Sequence, residues 1–188
     1  MNLPNKLTLL RVILVPFFIF FLLTDIVPLS AVWALVIFIA ASITDFLDGH
    51  IARSRNLITN FGKFLDPLAD KVLVISALVC FSDMGLCSAV PVIIIIAREF
   101  MVSGLRLVTA GEGVVVAAGI WGKLKTAFTM ITIVLMLFFA VLFGKDSGGY
   151  ANRVTIIEQV LIWISTLLTV ISGVQYLTAY KDYIDPTK

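Results

Sequence analysis

The sequence predicts an all-α fold, a polytopic membrane protein of six transmembrane helices. Three observations predict it. Of the 188 residues, 60% are hydrophobic and only 14% are charged, whereas a soluble domain averages about 25% charged residues. Mean hydropathy is +1.07, and apolar runs long enough to cross a bilayer alternate with short charged stretches. The third observation is a lopsided distribution of positive charge. If six helices alternate in direction, Lys145 and Arg153 fall on one side and the other 12 of the 14 lysines and arginines fall on the side of both termini. By the positive-inside preference, the termini face the cytoplasm. At this length, residues 1–188 are expected to form one domain. No internal repeat, low-complexity tract or nucleic-acid motif is visible.

The first helix is expected over Leu7–Leu23. Pro4, Asn5 and Thr8 mark its start near the membrane surface. Its length, the lack of a small-residue cleavage site and the Asp25 that follows read as a retained helix. Lys6 and Arg11 read most simply as topological anchors. The second run, Val27–Thr44, carries no charge and leads straight into Asp45. A third helix is expected to begin at Asp66–Pro67, since aspartate suits a cap and proline the first turn, and to run to Phe81. Lys71 directly follows Asp70 and is expected on a different face. Asp83–Gly85 reads as a short turn.

The fourth run starts near Ser88 and carries Arg98 and Glu99, with Arg106 two turns on. A spacing of eight keeps the two arginines nearly on one face. Thr109–Thr126, rich in glycine and alanine, reads as a connector at the membrane surface that ends in Lys123 and Lys125. The fifth helix is expected over Thr126–Phe143, a polar loop over Gly144–Asn152, and the sixth helix over Val154–Tyr180. Cys80 and Cys87 read as packing residues. His50 reads as a surface histidine at a helix end.

The chemistry concentrates between Asp45 and Asp70, in DFLDGHIARSRNLITNFGKFLDPLAD. Asp45 with Asp48, and Asp66 with Asp70, are two carboxylate pairs spaced to share a helix face. Four carboxylates at a bilayer edge are costly to desolvate and need a counter-charge. A divalent cation held by oxygen ligands supplies one. Gly49, Ala52 and Gly62 allow close approach of a ligand, and Arg53 offers a fork of donors to a phosphate. The combination points to a metal-bound pyrophosphate and to phosphoryl-type transfer, with two metal ions shared by the four aspartates. The active site then lies at the cytoplasmic side, where nucleotide-activated substrates are found.

Written as D-x2-D-G-x2-A-R-x8-G-x3-D-x3-D, this stretch resembles the signature of the CDP-alcohol phosphotransferase family at every fixed position. The resemblance implies CDP-diacylglycerol as donor, an alcohol as acceptor, CMP as product and Mg²⁺ or Mn²⁺ as cofactor. Carried onto the matching positions, it makes Asp45, Asp48 and Asp66 metal ligands. Asp70 becomes the base and a further candidate ligand. Asp48, Gly49, Ala52, Arg53 and Gly62 would hold the CDP moiety. The opening PNKLTLLR also resembles family members whose amino terminus approaches the nucleotide, which adds Asn5, Thr8 and Arg11 as weaker candidates. A homodimer in the cytoplasmic membrane of a bacterium is implied as well.

The acceptor is read from outside that motif. Arg98, Arg106, Lys123 and Lys125 carry more positive charge than an uncharged polyol needs, and suit a phosphate. IIAREFMVSGLR, GKLKT and NFGKFLDPLADK resemble family members that use sn-glycerol 3-phosphate. An inositol-phosphate or cardiolipin-type acceptor is the nearer alternative. A small transporter with an aspartate relay is the distant one, although such proteins place charge at the midplane and show repeated halves.

Overall fold

A computed structural model describes residues 3–54, 60–111, 119–145 and 152–180, without the side chains of 3–4, 46–54, 60–67, 110–111 and 152–153. It contains six helices, α1 (Leu3–Leu23), α2 (Ser30–Ser54), α3 (Asn60–Asp83), α4 (Ala89–Gly111), α5 (Ile120–Phe143) and α6 (Asn152–Ala179), and no strand among the described residues. The six expected helices are all present, and their boundaries correct the sequence reading in four places. α1 begins at Leu3, one turn before Leu7, with Pro4 in its first turn. α2 does not stop at Thr44 but carries Asp45 and Asp48 within one continuous helix. α3 begins at Asn60, so Asp66 and Pro67 lie inside the helix and do not cap it. The Thr109–Thr126 connector is much shorter than expected. α4 runs to Gly111 and α5 starts at Ile120, because alanine- and lysine-bearing sequence continues a helix readily once a turn has formed.

Among the described residues, three helices are long and apolar enough to cross a membrane, within Asn5–Leu23, Ile120–Phe143 and Val154–Ala179. The apolar part of α2, Ser30–Asp45, is shorter. α3 and α4, which carry Asp70, Lys71, Arg98, Glu99 and Arg106, are not among these three. The outside of the bundle is apolar, and polar side chains are buried within it alongside the apolar core. Phe17, Ile93, Leu107, Ile131 and Leu167 are more than half exposed, while Arg11, Thr132, Glu158, Ser165 and Ser172 are fully buried. An apolar outside is what a lipid solvent demands. Of the buried polar groups, Thr132 and Ser165 pair with each other, while both Glu158 oxygens have no hydrogen-bond partner among the described residues.

α1 packs on α2 and α3, α5 on α6, α4 on α6, and α2 reaches across to α5. Phe18 of α1 meets Phe38 of α2 with ring centroids 5.6 Å apart. Around them Leu22, Leu78, Phe81, Leu86, Met136 and Ile162 close a continuous core. The free thiols of Cys80 and Cys87 are buried against it, as packing residues should be. The expected turn after α3 is a Schellman motif. Gly85 takes φ 72°, its N–H bonds Ser82 O, and Leu86 N–H bonds Phe81 O at 2.9 Å.

The far end of the bundle is fastened by a residue that sequence reading treated only as a topological charge. Lys145, just past α5, donates to Phe21 O at 2.8 Å, Thr24 O at 2.7 Å and Ser30 Oγ at 2.6 Å. Its ammonium also pairs with Asp25 Oδ1 at 2.9 Å. One cation thus satisfies orphan carbonyls at the end of α1 and ties α5 to the start of α2. The lysine's hydrogen bond, then its charge, then the bond from Ser30 hold the Asp25 carboxyl below its ordinary value of 3.8.

Replacing Lys145 with methionine should remove about 1.5–3 kcal/mol of stability, read as a lower Tm in detergent. The depressed Asp25 carboxyl favours the folded state above its unfolded pKa and ceases to do so as pH falls through its lower folded value. The Tm gap between wild type and Lys145→Met should therefore be steady at neutral pH and narrow below about pH 4. A gap independent of pH down to 3 would show that Asp25 adds nothing to the clasp.

Candidate functional site

The helix ends at the amino-terminal side of the bundle surround a cavity of about 850 Å³. α3 contributes Asp70 and Lys71, α4 contributes Arg98, Glu99 and Arg106, α5 contributes Lys123 and Lys125, and α6 contributes Tyr176. Below it a narrow pocket of about 40 Å³ shares Asp70, Lys71, Glu99 and Lys125 with the larger space.

Five cations around one space repel each other, and the structure shows what holds them. Glu99 Oε1 lies 3.3 Å from Arg98 Nη1 and also accepts from Lys125 Nζ. Arg98 Nη2 donates to Ser172 Oγ at 2.6 Å. Tyr176, one turn along α6, presents its ring to both guanidinium groups, with centroid distances of 5.5 Å to Arg98 and 5.3 Å to Arg106. Its hydroxyl oxygen accepts from Arg106 Nη2 at 2.8 Å and from the Gly119 N–H at 3.3 Å. A Cβ at Gly173 would stand 3.1 Å from Arg98 Cγ, so the missing side chain lets α4 and α6 come this close.

The acceptor candidates Arg98, Arg106, Lys123 and Lys125 are therefore brought together, and the expected common face of the two arginines is observed. Lys123 is exposed at the rim while Lys125 is buried. Lys71, expected on a different face, nonetheless borders the same cavity as Asp70. Neighbours on a helix lie on different faces, but a space this wide spans both. Tyr176 and Ser172 had no motif to announce them. Their signal was modest, a serine and a tyrosine four apart around Gly173 in a helix that carries several other polar residues.

Asp45 of α2 pairs with Arg11 of α1, Nη1 to Oδ1, at 2.8 Å. Arg11 Nε also donates to Ala41 O at 3.3 Å. The side chain of Arg11 is fully buried, which corrects its reading as a surface anchor. Asn5 and Thr8, six and three residues earlier on the same helix, are buried too. Asp70 lies within electrostatic reach of Asp45, Arg11, Lys71 and Lys125. The helices α2 and α3 thus bring one aspartate of each pair near the other. Among the described residues no group of three His, Cys, Asp or Glu forms a metal site. Asp48, Gly49, His50, Ala52, Arg53, Gly62 and Asp66 stand on α2 and α3, and their side chains lie outside the described residues.

A family model described as CDP-alcohol phosphatidyltransferase matches residues 1–171. The chain is 42% identical to the CDP-diacylglycerol–glycerol-3-phosphate 3-phosphatidyltransferase of Bacillus subtilis, over 94% of each chain. It is 38% identical to the protein of the same name from Rickettsia bellii, over 97% of each chain. The Escherichia coli K12 protein of that name is 36% identical over 98% of each.

The Arg11–Asp45 pair makes a prediction of its own. The guanidinium is fully buried while Asp45 keeps 44% of its side-chain surface exposed, so losing Asp45 strands a buried charge at a cost of about 1.5–3 kcal/mol. Asp45→Asn should lower the Tm in detergent, and adding Arg11→Met to it should recover part of the loss. Strictly additive losses in that double-mutant cycle would mean that the two side chains are not coupled.

Proposed function

Since the chain belongs to the CDP-alcohol phosphatidyltransferase family, we propose that it transfers a phosphatidyl group from CDP-diacylglycerol to sn-glycerol 3-phosphate. The products are phosphatidylglycerophosphate and CMP. The observation that carries the reading is the 850 Å³ cavity in which Arg98, Arg106 and Lys125 face Asp70. A phosphate with two charges needs several donors when it leaves water, and a forked guanidinium pair supplies them. The names of the relatives from three bacteria support the same acceptor.

In this reading the acceptor phosphate sits between the arginines, with Lys125 below and Lys123 at the rim. That orientation turns the free hydroxyl of the acceptor toward Asp70. Asp70 takes the hydroxyl proton as the oxygen attacks the phosphatidyl phosphorus, and the bond from that phosphorus to the CMP oxygen breaks. Asn5, Thr8, Gly49, Ala52, Arg53 and Gly62 hold the CDP moiety on the opposite side. The donor set suits a hard divalent cation such as Mg²⁺ or Mn²⁺, because Asp45 and Asp70 approach each other and offer only oxygen. Asp45, Asp48, Asp66 and Asp70 would hold two such ions, which when bound neutralise charge on the pyrophosphate and the leaving group. The six helices all cross the bilayer in this picture, with both termini and the site facing the cytoplasm, and the chain works as a single domain within a homodimer.

Chelation should abolish CMP release, and added Mg²⁺ or Mn²⁺ should restore it. Full activity in excess EDTA, with metal removal confirmed by elemental analysis, refutes the metal assignment.

Arg106→Lys keeps the charge and loses the fork. It should raise the apparent KM for glycerol 3-phosphate about 10- to 100-fold and leave that for CDP-diacylglycerol nearly unchanged. Steady-state kinetics varying each substrate in turn decides it. An effect confined to CDP-diacylglycerol would remove the acceptor phosphate from this cavity.

A further inference from the structure

The narrow pocket under the cavity has a wall that the proposed reaction does not use. Thr129 is 2% exposed, lines this pocket, and its hydroxyl has no hydrogen-bond partner among the described residues. That sets it apart from its neighbours. Thr126, Thr166, Thr169 and Thr178 each bond the carbonyl four residues back, which is how a helix in apolar surroundings silences a hydroxyl. Thr132 pairs across to Ser165 at 3.4 Å. A buried hydroxyl without either solution is exceptional.

The rest of the pocket fits one kind of occupant. Asp70 and Glu99 accept hydrogen bonds, Lys125 donates, and Ile95 and Met130 close the sides. A group that both donates and accepts, carried on a small carbon chain, matches that lining. The volume of about 40 Å³ corresponds to roughly three water-sized groups. It takes a hydroxyl-bearing carbon and excludes a six-membered polyol ring.

We propose that this pocket is a hydroxyl-recognition subsite, with Thr129 as its specificity-determining residue and the non-reacting hydroxyl of the acceptor as its occupant. The proposal rests on the glycerol-phosphate reading above and deepens it. The phosphate anchors in the upper cavity, the reacting hydroxyl meets Asp70, and the remaining hydroxyl bonds Thr129 and Glu99. The enzyme would then select a phosphorylated small polyol with adjacent hydroxyls over the same molecule lacking one.

The test compares glycerol 3-phosphate with 1,3-propanediol monophosphate, which lacks only the central hydroxyl. Purified full-length protein in detergent with Mg²⁺ and CDP-diacylglycerol is assayed by CMP release, and binding of each acceptor is measured by calorimetry. Wild type should favour glycerol 3-phosphate by about tenfold or more. Thr129→Val should lower kcat/KM and affinity for glycerol 3-phosphate about tenfold while shifting those for the analogue by no more than about twofold. Thr129→Ser, which keeps the hydroxyl, should retain the wild-type preference. Equal losses on both acceptors would make Thr129 a packing residue and overturn the subsite. So would a wild type that does not discriminate, meaning that the pocket holds only water. If neither compound is bound or used while an inositol phosphate is, the glycerol-phosphate reading itself fails and the subsite goes with it.

Discussion

A guanidinium buried in an apolar-skinned bundle is costly unless it is answered from inside the same bundle, and Arg11 is answered by Asp45. The guanidinium is fully buried and the carboxylate lies 2.8 Å away. Arg11 has no solvent to turn to, while Asp45 keeps 44% of its side-chain surface open. The pair locks α1 against α2 at the depth where α2 carries its first carboxylate. With α1 fixed there, α3 packs on it and brings Asp70 toward Asp45. The cavity then forms from whatever α4, α5 and α6 present to that edge.

On the other side of the cavity the same constraint is met differently. Glu99 is shared by Arg98 and Lys125, and the ring of Tyr176 receives two guanidinium groups at once. An aromatic face and a hydroxyl hold cations in place without neutralising them. The cavity therefore keeps net positive charge for an anionic ligand. α6, of which the sequence announced only the extent of a helix, supplies that scaffold.

How much of this could be read from the chain alone follows the range of the interactions. Six apolar segments announce six helices because helix periodicity and length are local properties. The aspartate motif announces its chemistry because its spacing is local too. Asp66–Pro67 misled because a cap signature is also tolerated inside a helix held by packing, and the connector misled because alanine-rich sequence suits either state. Arg11 looked like an anchor because only the fold reveals that its partner is Asp45. Tyr176 and Ser172 stayed hidden because their partners sit 70 and 74 residues away. No spacing rule reaches across that separation.

The clasp at Lys145 bears on how the chain is made. Its acceptors in the α1–α2 turn leave the ribosome early, and the lysine that serves Ser30 follows 115 residues later. Until then the carbonyls of Phe21 and Thr24 lack that cation, and α5 must be made before this end of the bundle can close. Assembly of this end is thus ordered by synthesis, with the fifth helix acting as the latch on the first two.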